Sequence, residues 1–501
     1  MAPSYPQATT ALDQNHSRID VLLLVFCSSF FALYNSNAAY TSDEVWSINT
    51  AHLNYSGLMT ALKADVHPPL YFQLLHGWVR LFGTGEQAVR GLSGLFYIFA
   101  VLALYRLAKD LYGENTALLC AALYACSPLA ILSAQFARMY SLLSLLSILS
   151  TWLFVHFATE RRNTLPPIAL YVAINVLGTF THIAFFFTLF GQIVFQVLYR
   201  RAQLKRFAVA IVLSVIPYLI LWAPVLLGQI GNSAEGLAWV KKPRLSMLTD
   251  VLLLYGGVLW LLLPIALYLS WRRGFKFWKE FGSNPLPPLL LVFTIVPPVL
   301  ISIIKPVFNS RLAIVGLHLF ALTVCPLLKR TAAGYVLALL LVVLTGCFMV
   351  VVHPSSEACD NRALAMYLVQ NARDNDVAIF TSLTRMPVDY YFDQTGSKKL
   401  VKISFPAEID DHPGYEGRIS DPANRPTLER EARELVDRIG SMQSTNPTLR
   451  VFFFHGLHPE IDAILEKELQ TRFEVLQDQE VHCTEGSPYL KTISVYRVQA
   501  H

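Results

Sequence analysis

Apolar runs of nearly membrane-spanning length recur along the chain at 20–40, 88–108, 115–134, 139–158, 165–181, 182–199, 207–229, 247–270, 286–304, 312–328 and 332–352. A helix needs about 20 residues to cross roughly 30 Å of hydrocarbon, so the pattern predicts about eleven transmembrane helices. One further apolar stretch, "PPLYFQLLHGWVRLFG" at 68–83, is too short. Its roughly 14 helical residues rise only about 21 Å. Gln73, His76 and Arg80 fall on one stripe of that helix with aromatic residues opposite, the pattern of a helix lying in the interface plane. The paired prolines before it have separate effects. Pro68 pushes His67 into an extended conformation, and Pro69 suits a first helical turn, where its missing N–H is no loss. The segment 41–87 therefore reads as a membrane-hugging loop with juxtamembrane helices, presenting Asp65 and His67 at the surface.

After residue 353 the pattern changes. Short runs at 376–382, 400–405, 449–455 and 491–498 read as strands, and "NRALAMYLVQNAR", "TLEREARELVDRIG" and "EIDAILEKELQTR" have helical periodicity. Residues 354–501 are thus expected to form a small α/β domain, without a GxGxxG, P-loop or serine-elbow motif. A structural or partner-binding appendage is the preferred role, with acceptor recognition as the alternative. Residues 1–19 form a polar tail. Val21–Tyr40 reads as a retained first span, since no small-residue cleavage site follows it.

Composition supports a polytopic membrane protein: 54% of the 501 residues are hydrophobic and only 15% charged. The net charge of +5 is modest and gives no indication of nucleic-acid binding. Its placement is more informative. "YRLAKD", "ERRN", "YRRAQLKR", "WRRGFKFWKE" and "LKR" occupy every second loop, which places these loops and the 1–19 tail in the cytoplasm. The 41–87 loop and the 354–501 domain are then external. This alternation holds only if 68–83 does not span. The seven cysteines form no CxxC. Five lie in apolar runs as small core residues, while Cys359 and Cys483 fall in the external domain, where an oxidising compartment permits a disulfide that their spacing does not establish.

That topology gathers the polar residues of interest on one face. The first loop contributes Asp43, Glu44, Asp65 and His67. "QFARMYSLL" contributes Arg138 and Tyr140, "FTHIAFF" His182, "GLAWVKKPR" Trp239, Lys241, Lys242 and Arg244, and "IKPVFNSR" Lys305 and Arg311. Charges near a membrane boundary are costly unless hydrated or paired, so carboxylates and cations together suggest an anion site beside an acid. Structural alternatives stand beside this reading. Asp43 and Glu44 also suit a solvated helix boundary, His182 a satisfied core position, and the lysine pair a snorkel toward headgroups. Arg138 and Arg311 also suit simple neutralisation of lipid phosphates.

The order and spacing of "DE" after the first span, "DVHPPLYF", "WVRLFGTGEQAVRGLSG", "SPLAILSAQFARMYSL" and "KPVFNSR" resemble the GT-C glycosyltransferases. The resemblance is nearest to the branch of protein O-mannosyltransferases and bacterial lipid A aminoarabinose transferases, and it is best over 40–145. It implies a multi-spanning enzyme of the bacterial inner or plasma membrane that takes a sugar from a polyprenyl-phosphate carrier on the non-cytoplasmic side. Asp43 corresponds to the family's first-loop acid and Glu44 to its neighbour. Asp65 and His67 match its second polar cluster, with His67 where the aminoarabinose branch has lysine. Arg138 and Tyr140 match the "ARMY" element. Arg311 matches the arginine of a late "RY" motif whose aromatic is here Leu312. Phe136 stands where many relatives have glutamate.

The chemistry asked of these residues is limited. A lipid-linked sugar phosphate carries a good leaving group, so cations that stabilise departing charge and a carboxylate that orients or deprotonates an acceptor hydroxyl suffice. Arg138 and Arg311 supply forks for phosphate, and Lys241 and Lys242 point charges. Asp43 is the candidate base with Asp65 supporting, and Glu44, His67, Tyr140, His182 and Trp239 line the substrates. Back-side attack inverts the anomeric centre. An aspartate of ordinary pKa, about 3.9, is a weak base at neutral pH and needs burial or a metal to assist it, so a divalent metal on Asp43 and Asp65 stays open. The acceptor stays open among lipid, glycan and protein. A polyprenyl-phosphate or lipid transporter is the rival reading, although it would favour internal repeats and mid-span charges.

Overall fold

The computed structural model describes the chain except for residues 1–10, 65–66, 160–164, 233–243, 262–263, 265–267, 269–283, 306, 329–333, 352–360, 382–383, 397, 408–421, 443–445, 447, 457, 483–489 and 499–501. It divides into two compact units. A helical body comprises Met1–Ser36, Ala51–Gln229 and Lys241–Val352; a second body comprises Asn37–Thr50, Ile230–Val240 and His353–His501. Helices α1 (Ala11–Leu33), α2 (Ser42–His52), α3 (Tyr55–Ala64), α4 (Leu70–Phe82), α5 (Glu86–Tyr112), α6 (Glu114–Ala125), α7 (Pro128–Ala134) and α8 (Tyr140–Thr159) lead the chain order. They are followed by α9 (Leu165–Thr179), α10 (Phe185–Tyr199), α11 (Leu204–Leu221), α12 (Ala223–Asn232), α13 (Leu245–Gly256), α14 (Leu286–Ile304), α15 (Ile314–Leu328) and α16 (Gly334–Val351).

Among the described residues, three helices are individually long and apolar enough to cross a membrane: Glu86–Tyr112, Arg201–Leu221 and Leu286–Ile304. The others depart from the expected spans for local reasons. The first helix starts at Ala11, inside the expected tail, and stops at Leu33 rather than Tyr40. Asn35 takes φ 57°, a left-handed conformation that asparagine tolerates and that ends a helix. The expected span 115–134 is two helices, α6 and α7, bent by 62°, with Pro128 opening the second. A proline cannot donate its i→i−4 bond and disfavours helix in the residue before it. The run 207–229 divides at Trp222, and α13 ends at Gly256 before Gly257 at φ 47°.

The short helix α4 follows the predicted limits, but its polar stripe is not left to headgroups. His76 Nδ1 lies 2.7 Å from the Ala51 carbonyl oxygen, and Gln73 donates to Tyr55 Oη at 3.2 Å. Its other face buries Tyr71, Phe72, Leu75 and Val79. Within the helical body α5 packs on α1, α6 and α8, and α10 packs on α14. Helix α8 carries a polar seam through this core. Tyr124 Oη meets Ser144 Oγ at 2.7 Å, Thr188 donates to Ser147 at 3.3 Å, and Gln192 donates to Ser150 at 3.0 Å. Thr151 meets His318 Nε2 at 3.0 Å. Hydrogen bonds of this kind fix rotation and register between apolar helices, where hydrophobicity alone does not discriminate. They hold the helix whose first residue is Tyr140.

The second body contains α17 (Asn361–Asn371), β1 (Val377–Thr381), α18 (Arg385–Asp393), β2 (Val401–Phe405), α19 (Arg425–Met442), β3 (Arg450–Phe454), α20 (Pro459–Gln470), β4 (Phe473–His482) and β5 (Leu490–Val498). The sheet order is β2-β1-β3-β5-β4, parallel from β2 to β3 and antiparallel beyond. Strand β1 is buried along its whole length, as a parallel strand covered on both faces should be. Asp376 seals its entrance, accepting from the Arg450 backbone N–H at 3.1 Å and from the Arg450 guanidinium at 2.8 Å. Strand β4 and helix α18 were not expected from the sequence pattern. Cys359 and Cys483 lie outside the described residues, as does any bond between them.

Candidate functional site

The site in the helical body is organised by the short connection Gln135–Tyr140, where α7 stops and α8 begins. The Arg138 N–H donates to the Phe136 carbonyl at 2.7 Å, a tight turn that brings neighbouring side chains out of helical spacing. Gln135 anchors it by donating from Nε2 to the carbonyls of Phe31 and Tyr34, both at 2.7 Å. These carbonyls belong to the frayed end of α1, which lacks helical partners for them. Ser93 Oγ donates to the Arg138 carbonyl at 3.2 Å and meets Tyr71 Oη at 3.0 Å, tying the turn to α5 and α4.

Arg138 is only 5% exposed. Its guanidinium donates to His67 Nε2 at 3.3 Å and lies 5.7 Å from the centre of the Phe72 ring. The His182 ring stands 5.8 Å from His67 and 6.2 Å from Tyr140. His182 is in the connection between α9 and α10, where its Nδ1 accepts from the Ala184 N–H at 3.0 Å. The Leu70 N–H donates to the Phe180 carbonyl at 3.0 Å, which holds the start of α4 to the same connection. Burial lowers the His182 pKa to about 3, with His67 and Arg138 adding to the effect. His182 is therefore neutral at physiological pH and carries no proton to donate from Nδ1.

Arg311 approaches the same turn from the other end of the sequence. Its guanidinium lies 5.1 Å from the centre of the Phe136 ring, and that ring stacks on Tyr140 at 6.3 Å and 8°. A cation over an aromatic face is worth about 0.5–1 kcal/mol at an exposed site. The chain around Arg311 is shaped by local caps. Ser302 Oγ accepts from the N–H groups of Val307 (3.1 Å) and Phe308 (2.7 Å), and Asn309 Oδ1 accepts from the Leu312 N–H at 3.2 Å. One turn thus bears the first guanidinium group, of Arg138, and packs its Phe136 ring against the second, of Arg311. Planar forks in this setting are suited to phosphate.

Asp43 and Glu44 belong to the second body, in the first turn of α2. Thr41 and Glu44 form a capping box. Glu44 Oε2 accepts from the Thr41 N–H at 3.0 Å, and the Glu44 N–H donates to Thr41 Oγ1 at 3.3 Å. Glu44 is fully buried, whereas Asp43 is exposed. The box aims the helix N-terminus and leaves Asp43 as the carboxylate open to solvent. Glutamine serves a capping box as glutamate does, so Glu44→Gln is expected to keep turnover within about twofold, while Glu44→Ala loses about 1 kcal/mol of helix stability. Thermal unfolding and donor turnover of the two variants check this. A large loss of turnover in Glu44→Gln would return the residue to a charge-dependent role.

The helical body therefore brings together His67, Arg138, Tyr140, His182 and Arg311, while Asp43 and Glu44 share a helix in the other body. Asp65, Trp239, Lys241 and Lys242 lie outside the described residues. Among the described residues no group of three His, Cys, Asp or Glu side chains is placed to hold a metal. In the sequence Phe136 stands out only as a departure from the motif, and Gln135 and Phe72 do not stand out at all. The Gln-Phe pair directly before "ARMY" was the available signal.

Residues 66–227 match the family described as dolichyl-phosphate-mannose-protein mannosyltransferase. YkcB of Bacillus subtilis (strain 168), a candidate mannosyltransferase, is 25% identical over 177 residues, covering 32% of this chain. The match spans 23% of that relative's length. Among solved structures, ArnT from Cupriavidus metallidurans in the apo state matches with TM-score 0.58 at 11% identity, over 96% of this chain and 98% of ArnT. The same protein bound to undecaprenyl phosphate matches with TM-score 0.59 at the same identity and coverage. The fold is shared along almost the whole of both chains.

Proposed function

We propose, from the premise of this GT-C membrane-glycosyltransferase fold, that the chain transfers a sugar from a polyprenyl-phosphate carrier to an acceptor hydroxyl on the non-cytoplasmic side of a bacterial inner membrane. The observation that carries the reading is the turn Gln135–Tyr140, which bears Arg138 and whose Phe136 ring lies under Arg311. The fold's relative ArnT binds undecaprenyl phosphate, a ligand of the charge that two guanidinium groups suit.

In the proposed reaction the acceptor oxygen attacks the anomeric carbon while the bond from that carbon to the phosphate oxygen breaks. The electron pair departs with the polyprenyl phosphate, whose added charge Arg138 and Arg311 stabilise. Asp43 orients the acceptor hydroxyl and takes its proton. Attack opposite the phosphate inverts the anomeric centre. His182, held neutral, lines the site without adding a third positive charge, and His67 accepts from Arg138 to hold its fork in plane. Lys241, Lys242 and Trp239, with Asp65, complete the proposed donor and substrate contacts. The acceptor is a lipid, glycan or protein hydroxyl, and a divalent metal held by Asp43 and Asp65 would assist an exposed carboxylate in taking that proton.

Proteoliposomes containing radiolabelled polyprenyl-phosphate sugar test the reading. The expected result is cleavage of the sugar–phosphate bond, with free polyprenyl phosphate formed in step with sugar transfer to an added envelope extract. Movement of intact donor between leaflets without cleavage would replace the enzyme by a transporter.

A further inference from the structure

The segment that carries Asp43 is held by the C-terminal α/β domain. Residues Asn37–Thr50 group with His353–His501 as one compact body, although about 300 residues of helical chain separate them in sequence. The grip centres on Tyr40, which is 1% exposed. Its N–H donates to Tyr391 Oη at 2.8 Å, and its carbonyl accepts from Asn361 Nδ2, also at 2.8 Å. Its ring stacks on Tyr391 at 6.3 Å and 16° and meets Tyr390 edge-on at 5.6 Å. Arg362 closes the arrangement, donating to the Asn37 carbonyl at 3.2 Å while lying 5.3 Å from the centre of the Tyr391 ring.

The gripping helices are themselves secured. Helices α17 and α18 pack on each other, and Asp389 of α18 pairs with Lys402 of β2 at 3.0 Å and with Arg385 at 3.1 Å. A buried backbone N–H and C=O must find partners, and here both are supplied by side chains from outside the segment. The next residue, Thr41, is the N-cap of the helix that bears Asp43.

We propose that the C-terminal domain is a positioning module for the Asp43 helix, with Asn361 and Tyr391 as positioning residues that act through Tyr40. This rests on the function proposed above and adds a task for a domain that otherwise reads as an appendage. Fixing both faces of the Tyr40 peptide fixes the direction in which α2 leaves it, and hence where the Asp43 carboxylate stands. Displacing a reacting group by even about 1 Å costs up to about a hundredfold in rate.

The test uses the full chain with Tyr391→Phe, which removes one oxygen, and Asn361→Leu, which keeps volume. Three quantities are read: donor turnover, binding of undecaprenyl phosphate, and amide hydrogen exchange over residues 37–50 and over β1. The expected result is a fall in kcat of about tenfold or more, unchanged undecaprenyl phosphate binding, faster exchange over 37–50 and unchanged exchange over β1. If Asn361→Leu speeds exchange in β1, the domain itself has loosened and Tyr391→Phe decides by the same criteria. Unchanged turnover in that variant, or unchanged exchange over 37–50, overturns the proposal. Full turnover in Asp43→Asn would instead remove the carboxylate's role. Full turnover in the clamp variants beside an inactive Asp43→Asn would remove the clamp alone.

Discussion

Asp43→Asn is expected to lower kcat for sugar transfer by about 10²–10⁴, the usual contribution of a positioned acid–base group. The substitution keeps shape and the capacity to accept a hydrogen bond, and it leaves the Thr41–Glu44 capping box that builds the helix untouched. Undecaprenyl phosphate binding is expected to stay at the wild-type value, because the proposed phosphate contacts come from other elements. Steady-state turnover paired with lipid-phosphate binding separates the two quantities. Loss of binding together with turnover would mean that residue 43 supports structure or donor affinity instead of proton transfer.

Arg138→Ala and Arg311→Ala are each expected to weaken binding of undecaprenyl phosphate by about 10–100-fold, as hydrogen bonds to charged groups contribute roughly 1.5–3 kcal/mol. The two differ in their side effects. Arg138 is buried against Phe72 and His67, so its truncation also lowers thermal stability. Arg311 is exposed over Phe136, and its loss is expected to leave the unfolding temperature nearly unchanged. Lysine at either position restores charge without the planar fork and should recover only part of the affinity. Binding isotherms beside melting curves make the comparison. Unaltered affinity in Arg311→Ala would place the donor phosphate elsewhere.

The helical fold is legible where a single strong period is present. Helix α4 was bounded correctly because paired prolines start it and Gly83 ends it. The two bent or broken runs were not, since 115–134 and 207–229 are apolar throughout and hydropathy does not register a 62° bend. Pro128 and Pro224 stand near the breaks, but Pro217 lies inside an unbroken helix, so proline alone does not mark where a run divides. In the C-terminal domain the strands β1, β2, β3 and β5 are readable from β-branched and aromatic runs. Strand β4 was missed because it is an edge strand: beyond Phe473 its described side chains are exposed, so no alternation marks it.

The candidate residues were legible by chemical type and motif, and their grouping was not. Arg138 and Arg311 lie far apart in sequence, and what joins them is Phe136, a residue that reads as an oddity until its ring is seen between Arg311 and Tyr140. Glu44 stands out in the sequence for its charge, yet its spacing from Thr41 already matches a capping box. The role of Tyr40 had no sequence signal, because its partners Asn361 and Tyr391 are contributed by helices of a separate domain.

In the proposed site the turn Gln135–Tyr140 brings Arg138 and Arg311 to the donor phosphate. A cryo-electron microscopy structure of the full chain with undecaprenyl phosphate tests it most directly. Phosphate oxygens are expected within hydrogen-bonding distance of both guanidinium groups, with Phe136 still beneath Arg311. A phosphate bound away from this turn, in contact with neither arginine, would contradict it.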